Sequence, residues 1–163
     1  MAIRTRVGQG FDIHRFVDGP SDRVLVLGGV KFPNEKPLAG HSDADVIAHA
    51  AADALLGAAS LGDIGMHFPD TDPQWAGANS LTLLAHVAKI VRDAGYEIGN
   101  VDCSIVCEKP KIGPHREAMQ KLLSDAAGAT ITVKGRRAEG LGALGREEGI
   151  ACWAVAVIEG TQA

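Results

Sequence analysis

The sequence predicts an α/β (α+β) fold, a single domain over residues 1–163 in which a β-sheet is covered by helices on one face. Strand-like and helix-like runs alternate over most of the length, and no linker, internal repeat or low-complexity segment interrupts them. With 46% hydrophobic and 22% charged residues, the chain has the balance of a soluble globular protein, and 163 residues suffice to bury one core. Aromatics make up only 4%, so Ala, Val, Leu and Ile must fill the interior.

Each element has its own warrant. Residues 3–9 and 24–32 read as strands, the second being Val24-Leu25-Val26-Leu27 followed by a kink or bulge at Gly28-Gly29, with Asp18-Gly19-Pro20 turning the chain between them. Residues 43–59 carry Val46, Ile47, Ala50, Ala54, Leu55 and Ala58 at the 3.6-residue period of an amphipathic helix, capped by Ser42 or Asp43. Asp45, His49 and Asp53 follow one another at steps of four, along one side of that helix. Turn residues crowd 61–77, a loop long enough to suggest function or mobility. A second helix is expected over 79–94, ended by Gly95, and a third over 114–127. Val101, Cys103, Ile105 and Cys107 alternate with Asp102, Ser104 and Glu108 as a half-buried strand does, and 130–136 and 149–158 read as closing strands.

A net charge of -4 with no dense basic run argues against a nucleic-acid surface, which needs Lys and Arg to neutralise phosphates. A polyphosphate ligand would need metal ions to offset its charge. No apolar run reaches the ~18 residues of a membrane span, and the amino terminus shows no secretory pattern, so a cytoplasmic protein is expected. Cys103, Cys107 and Cys152 match neither a zinc ribbon nor an even disulfide set. Four strand steps separate Cys103 from Cys107 by roughly 13 Å, too far for a bridge, so the cysteines read as small buried hydrophobes.

Chemistry enters with Gly10-Phe11-Asp12-Ile13-His14 and Gly40-His41-Ser42-Asp43-Ala44-Asp45-Val46-Ile47-Ala48-His49. Residues two apart on a strand leave the same face, so Asp12 and His14 can converge on one point, and one imidazole from the second stretch would complete three ligands. Three nitrogen and carboxylate donors leave a tetrahedral ion with an open fourth position, the mark of a catalytic zinc. Taken alone, a histidine on an Ala-rich helix reads as readily as a surface or satisfied core residue. Asp45 or Asp53 could orient the ring of His49, or either could be a solvated carboxylate.

Over nearly its whole length the chain resembles the 2-C-methyl-D-erythritol 2,4-cyclodiphosphate synthase family. The resemblance rests on Gly8-x-Gly10-Phe11-Asp12-x-His14, His41-Ser42-Asp43-x-Asp45-x-x-x-His49, Gly62-Asp63-Ile64-Gly65, Phe68-Pro69-Asp70-Thr71-Asp72-Pro73, Lys109-Pro110-Lys111 and Gly145-Arg146-x-Glu148-Gly149, in that order. Each motif is weak by itself; together they are specific.

The resemblance implies a mixed sheet packed as a homotrimer and a phosphorus–oxygen lyase reaction of non-mevalonate isoprenoid synthesis. In it the 2-phosphate of a cytidine-diphosphate-linked methylerythritol attacks the β-phosphorus and expels CMP. The chain shows no Ser-His-Asp or Cys-His arrangement, consistent with a nucleophile that belongs to the substrate. By the same resemblance Asp12, His14 and His49 hold zinc, which takes a phosphate oxygen, and His41 and Ser42 contact phosphate, His41 as a catalytic residue that stabilises charge in the transition state and Ser42 also suiting a helix cap. Asp63, Ile64 and Gly65 grip the methylerythritol hydroxyls, and Phe68, Pro69, Asp70, Thr71 and Asp72 close over that end. Cytidine falls to Cys107-Glu108-Lys109-Pro110-Lys111-Ile112-Gly113, between subunits. Glu139 helps to bind a second divalent ion, magnesium or manganese, while Arg146 and Glu148 lie near a threefold axis whose cavity can accept isoprenoid diphosphates, with Phe11 a candidate for its lining.

One departure stands out. Where relatives carry Thr-Thr-(Thr/Ser)-Glu, this chain has Arg136-Arg137-Ala138-Glu139, so Arg137 replaces a phosphate-holding hydroxyl. Its guanidinium could bind phosphate bidentately, or overfill the site. The sequence therefore admits two further readings: a trimeric metal- and nucleotide-binding relative impaired in turnover, and a zinc phosphodiesterase that admits water.

Overall fold

Four strands form one sheet in the order β1-β6-β4-β5 in the computed structural model, which describes residues 2–161. Strand β1 (Ile3–Arg15) runs antiparallel to β6 (Gly149–Thr161), β6 antiparallel to β4 (Tyr96–Val106), and β4 parallel to β5 (Thr130–Arg136). The sheet is thus mixed, as expected. Helix α1 (Val46–Ala59) lies over β1, β6 and β4, while α3 (Ser80–Asp93) packs on β4 and α4 (Arg116–Ala127) on β5.

Alternation decides which face the helices cover. Gly8 and Gly10 of β1, Val101, Cys103 and Ile105 of β4, and Cys152, Ala154 and Ala156 of β6 are buried beneath them. Val7, Phe11, Ile13, Trp153 and Val155 point the other way and are exposed, with the Phe11 and Trp153 rings 5.0 Å apart. Together they make one side of the sheet an exposed apolar face.

Helix α1 is not amphipathic in place: every residue except Asp53 and Gly57 is buried. Its alanines and the strand's glycines explain why. A Cβ at Gly8 would overlap the carbonyl oxygen of Ala54, and one at Gly10 that of Ala50, so helix and strand meet backbone to backbone. Two steps along β1 correspond to one turn of α1. The next inward positions, Asp12 and His14, therefore arrive at the turn that carries His49.

Several expectations need correction. Residues 24–32 are not one kinked strand but a hairpin of β2 (Leu25–Leu27) and β3 (Val30–Phe32). Gly28 and Gly29, with φ of +57° and +78°, form its two-residue turn, a conformation that glycine adopts without penalty. Helix α1 starts at Val46 rather than 43, and its cap is Asp45, not Ser42 or Asp43. Asp45 accepts hydrogen bonds from the amides of Ile47 and Ala48, and also from Gly28 and Gly29 at 2.9 and 2.8 Å. The third helix begins at Arg116, after a 3-10 turn at Gly113–His115, because Pro114 suits an opening turn. Strand β4 stops at Val106, leaving Cys107 and Glu108 beyond it, and β1 runs on to Arg15, past the expected end at residue 9. The long loop holds helix α2 (Ile64–His67) and a 3-10 turn at Pro73–Trp75. All three cysteines are free and buried.

Candidate metal centre and flanking pockets

Asp12 and His14 leave β1 on its helix-covered side and meet His49 of α1. Asp12 Oδ2 lies 3.0 Å from both His14 Nε2 and His49 Nδ1, and the two ring nitrogens are 3.5 Å apart. Ligands bound tetrahedrally to zinc at about 2.0–2.1 Å sit roughly 3.3 Å from one another, so the donor set fits such an ion without rearrangement. Among the described residues these three form a group able to hold a metal.

Electrostatics point the same way. Burial works against ionisation of Asp12, yet hydrogen bonds from His14 and His49 and their positive charge outweigh it and hold the carboxyl down to about 2. Burial likewise disfavours a charged His49, but the Asp12 hydrogen bond and carboxylate charge overcome it and raise the ring's proton affinity above the ordinary value. A carboxylate that stays ionised beside crowded imidazoles is a place for a cation.

Of the two readings open for Asp45 and Asp53, orienting His49 or standing solvated, the structure shows neither. Asp45 is committed to four backbone amides, and Asp53 accepts from the amide of Ile64 at 2.8 Å. His49 Nε2 instead faces Ser80 Oγ at 2.8 Å and Ser42 Oγ at 3.1 Å. Ser80 escaped the sequence reading because Asn79-Ser80 looks like an ordinary helix start. No local signal distinguishes it.

A pocket of about 350 Å³ opens in front of the donors, with His41 and Ser42 on its wall together with Ile64, Gly65, Phe68, Pro69 and Asp70. Trp75 and Leu83 also line it, which the sequence did not indicate. Phe68 stacks edge-on against Trp75 at 4.8 Å, tying the loop over the pocket to the 3-10 turn. Asp63, Thr71 and Asp72 stand outside that wall: the Asp63 carboxylate caps α2 and that of Asp72 caps the 3-10 turn.

A separate pocket of about 280 Å³ gathers Cys107, Glu108, Pro110, Lys111, Ile112 and Gly113, with Arg136 and Arg137 across from them. It shares no lining residue with the metal pocket. Burial pushes the Cys107 thiol up to about 12, which makes it an unreactive wall group. Glu108 accepts from the Ala138 amide at 2.8 Å and from Arg137 Nη2 at 3.2 Å, so the unexpected arginine is held at the pocket rim. Lys109 turns toward another pocket with Arg146, and ends 3.7 Å from Glu147. Glu139 is exposed, in a left-handed backbone conformation with φ of +55°, and Arg146 pairs with Glu148 at 2.7 Å.

The YgbB family model matches residues 5–159. The chain belongs to the YgbB family. A family relative from Bacillus cereus strain ATCC 10987, named 2-C-methyl-D-erythritol 2,4-cyclodiphosphate synthase, is 52% identical over 157 residues, covering 94% of this chain and 98% of its own. Among solved family structures, the bifunctional IspDF of Campylobacter jejuni superimposes with a TM-score of 0.91 at 37% identity; it covers 99% of this chain, which spans 44% of the bifunctional protein. The Plasmodium falciparum IspF CDP complex matches with a TM-score of 0.82 at 34% identity, over 97% of both chains.

Proposed function

We propose that this chain converts 4-diphosphocytidyl-2-C-methyl-D-erythritol 2-phosphate to 2-C-methyl-D-erythritol 2,4-cyclodiphosphate with release of CMP. The observation that carries the reading is the Asp12, His14, His49 donor set facing a pocket, in a chain 52% identical to a named synthase.

The substrate's own phosphate is the nucleophile. A phosphate monoester, with a second pKa near 6, is mostly ionised at neutral pH and needs no strong base, so the protein's task is positioning and charge neutralisation. Asp12, His14 and His49 would hold zinc, whose chemistry when bound is to polarise a phosphate oxygen at its open position. His41 and Ser42 bind phosphate beside it. Ile64 and Gly65, on the pocket wall, take the methylerythritol hydroxyls, and Phe68, Pro69 and Asp70 exclude water from that end, while Asp63, Thr71 and Asp72 shape the loop from outside the wall. Residues 107–113 read cytidine through backbone groups, a reading supported by the likeness over 97% of this chain to a relative solved as a CDP complex. Arg137, steadied by Glu108, supplies charge-assisted hydrogen bonds to phosphate where relatives use a hydroxyl. Glu139 and oxygen-rich phosphates suit magnesium or manganese as the second ion.

Two features support a homotrimer. The metal pocket and the 107–113 pocket are unconnected within one chain, and one whole sheet face presents exposed Val7, Phe11, Ile13, Trp153 and Val155. Joining neighbouring copies unites the half-sites and covers that face, placing Arg146 near an axis where an isoprenoid diphosphate could bind. Among the described residues no helix is long and apolar enough to cross a membrane, and a cytoplasmic location suits the substrate. Family membership gives the binding-only reading no support.

The test is incubation of the trimeric protein with the cytidine substrate and magnesium, followed by phosphorus NMR. CMP and a cyclic diphosphate should appear together; substrate bound but unchanged would overturn the proposal.

A further inference from the structure

We infer that Asp43 and Ser80 are positioning residues for the metal centre, a carboxylate and a hydroxyl in series that set the tautomer of His49 and aim its Nδ1 lone pair at the ion. The inference rests on the metal-site reading above and adds to it two residues that touch neither ion nor substrate.

Ser80 is the first residue of α3, and both ends of it are tied to Asp43. Its amide donates to Asp43 Oδ2 at 3.1 Å, and its hydroxyl makes a short hydrogen bond to Asp43 Oδ1. The Asp43 amide in turn donates to the Ala78 carbonyl at 3.1 Å, so the segment before α1 and the start of α3 are stitched together from both sides. The Ser80 hydroxyl donates to Asp43 Oδ1, which spends its single hydrogen. What Ser80 Oγ then offers His49 Nε2, 2.8 Å away, is a lone pair.

A nitrogen facing a lone pair at that distance carries the hydrogen. His49 therefore keeps a hydrogen at Nε2, and Nδ1, which in the metal-free protein donates to Asp12 Oδ2, is the nitrogen that gives up its proton to ligate. Burial makes the constraint effective: Ser80 is 1% exposed, Ser42 4% and His49 8%, so water cannot supply an alternative partner. Ser42 Oγ, 3.1 Å from the same nitrogen and 3.4 Å from Ser80 Oγ, is the lesser contact. A purely structural role for Asp43, that of an extra cap on α3, would account for its bond to the Ser80 amide. It would not require the hydroxyl bond or the placement of Nε2 against it.

The test compares zinc affinity, by competition with a chromophoric chelator, in the full-length wild type and the S80A, S80T and D43N variants, alongside nitrogen NMR of the zinc-loaded protein. Loss of a group that orients a metal-bound histidine costs about 10–100-fold in affinity, the drop expected for S80A, whereas S80T keeps the hydroxyl and should restore most of it. D43N is the sharper variant, because its amide can donate to Ser80 Oγ and turn the serine hydrogen toward Nε2, favouring the tautomer that blocks Nδ1; its affinity should fall at least as far as that of S80A. In the wild type, the His49 Nε2 proton should be hydrogen-bonded and slow to exchange. Affinities unchanged in S80A and D43N, or a His49 ring bound to zinc through Nε2, would overturn the inference, and the wild-type spectrum decides the matter even if a variant does not fold. A wild type that binds no zinc at all would remove the metal centre itself, and this inference with it.

Discussion

Asp12 Oδ2 sits 3.0 Å from His49 Nδ1 although 37 positions separate the two residues in sequence. The contact exists because Gly8 and Gly10 let β1 lie against the backbone of α1, a fit that sets the register of strand on helix. Site and packing are thus one construction.

Replacing His49 with Ala removes one of three donors. The expected outcome is purified protein that carries little or no zinc by elemental analysis while keeping its circular dichroism spectrum. Zinc at the wild-type stoichiometry would strike His49 from the ligand set.

Gly10→Ala adds a single methyl group where the Ala50 carbonyl already lies. Overpacking of this kind costs about 1–3 kcal/mol or more, and here the strand must also move away from α1, so zinc affinity should fall along with the unfolding midpoint. Denaturant unfolding and chelator competition on one sample check both. A destabilised variant with intact zinc affinity would show that the donors do not depend on this contact.

The shifts at Asp12 and His49 have opposite signs, with separable consequences. Asp12, depressed from 3.8 to about 2, contributes about 2 kcal/mol of stability that is present above its unfolded value and lost as pH falls toward 2. His49, raised above 6.5, contributes in the metal-free protein a stability fully present below 6.5 and lost as pH rises through its folded value. Zinc must displace that proton, so binding should release protons near neutrality and tighten with rising pH. Calorimetry in buffers of different ionisation enthalpy measures the release; zinc uptake without it would contradict the assignment of His49.

Arg137 separates this chain from the Thr-rich pattern that the resemblance leads one to expect. Arg137→Ala removes a charge-assisted contact worth about 1.5–3 kcal/mol and should lower kcat/KM by about tenfold or more. Arg137→Thr brings in the hydroxyl that the pattern carries and should retain turnover. An Ala variant as fast as the wild type would show that the guanidinium meets no phosphate.

Much of this was legible in the sequence, for identifiable reasons. Two-residue spacing put Asp12 and His14 on one side of a strand, and the motif order carried the family. What stayed hidden was tertiary. The Gly28-Gly29 pair read as a kink because its positive φ values, and its hydrogen bonds to Asp45, depend on a hairpin folding back on α1. Helical spacing left Asp45 and Asp53 open as orienters of His49 or as solvated carboxylates, but backbone amides claim both. Ser80 lies 31 positions from the ring it faces, and nothing local marks it.

The most direct test of the central claim, that a substrate phosphate rather than water attacks, is turnover in oxygen-18 water followed by mass spectrometry of the products. The account predicts CMP and a cyclic diphosphate, both without label. Label in CMP, or in a linear phosphate product, would mean that water is the nucleophile and that the chain is a hydrolase.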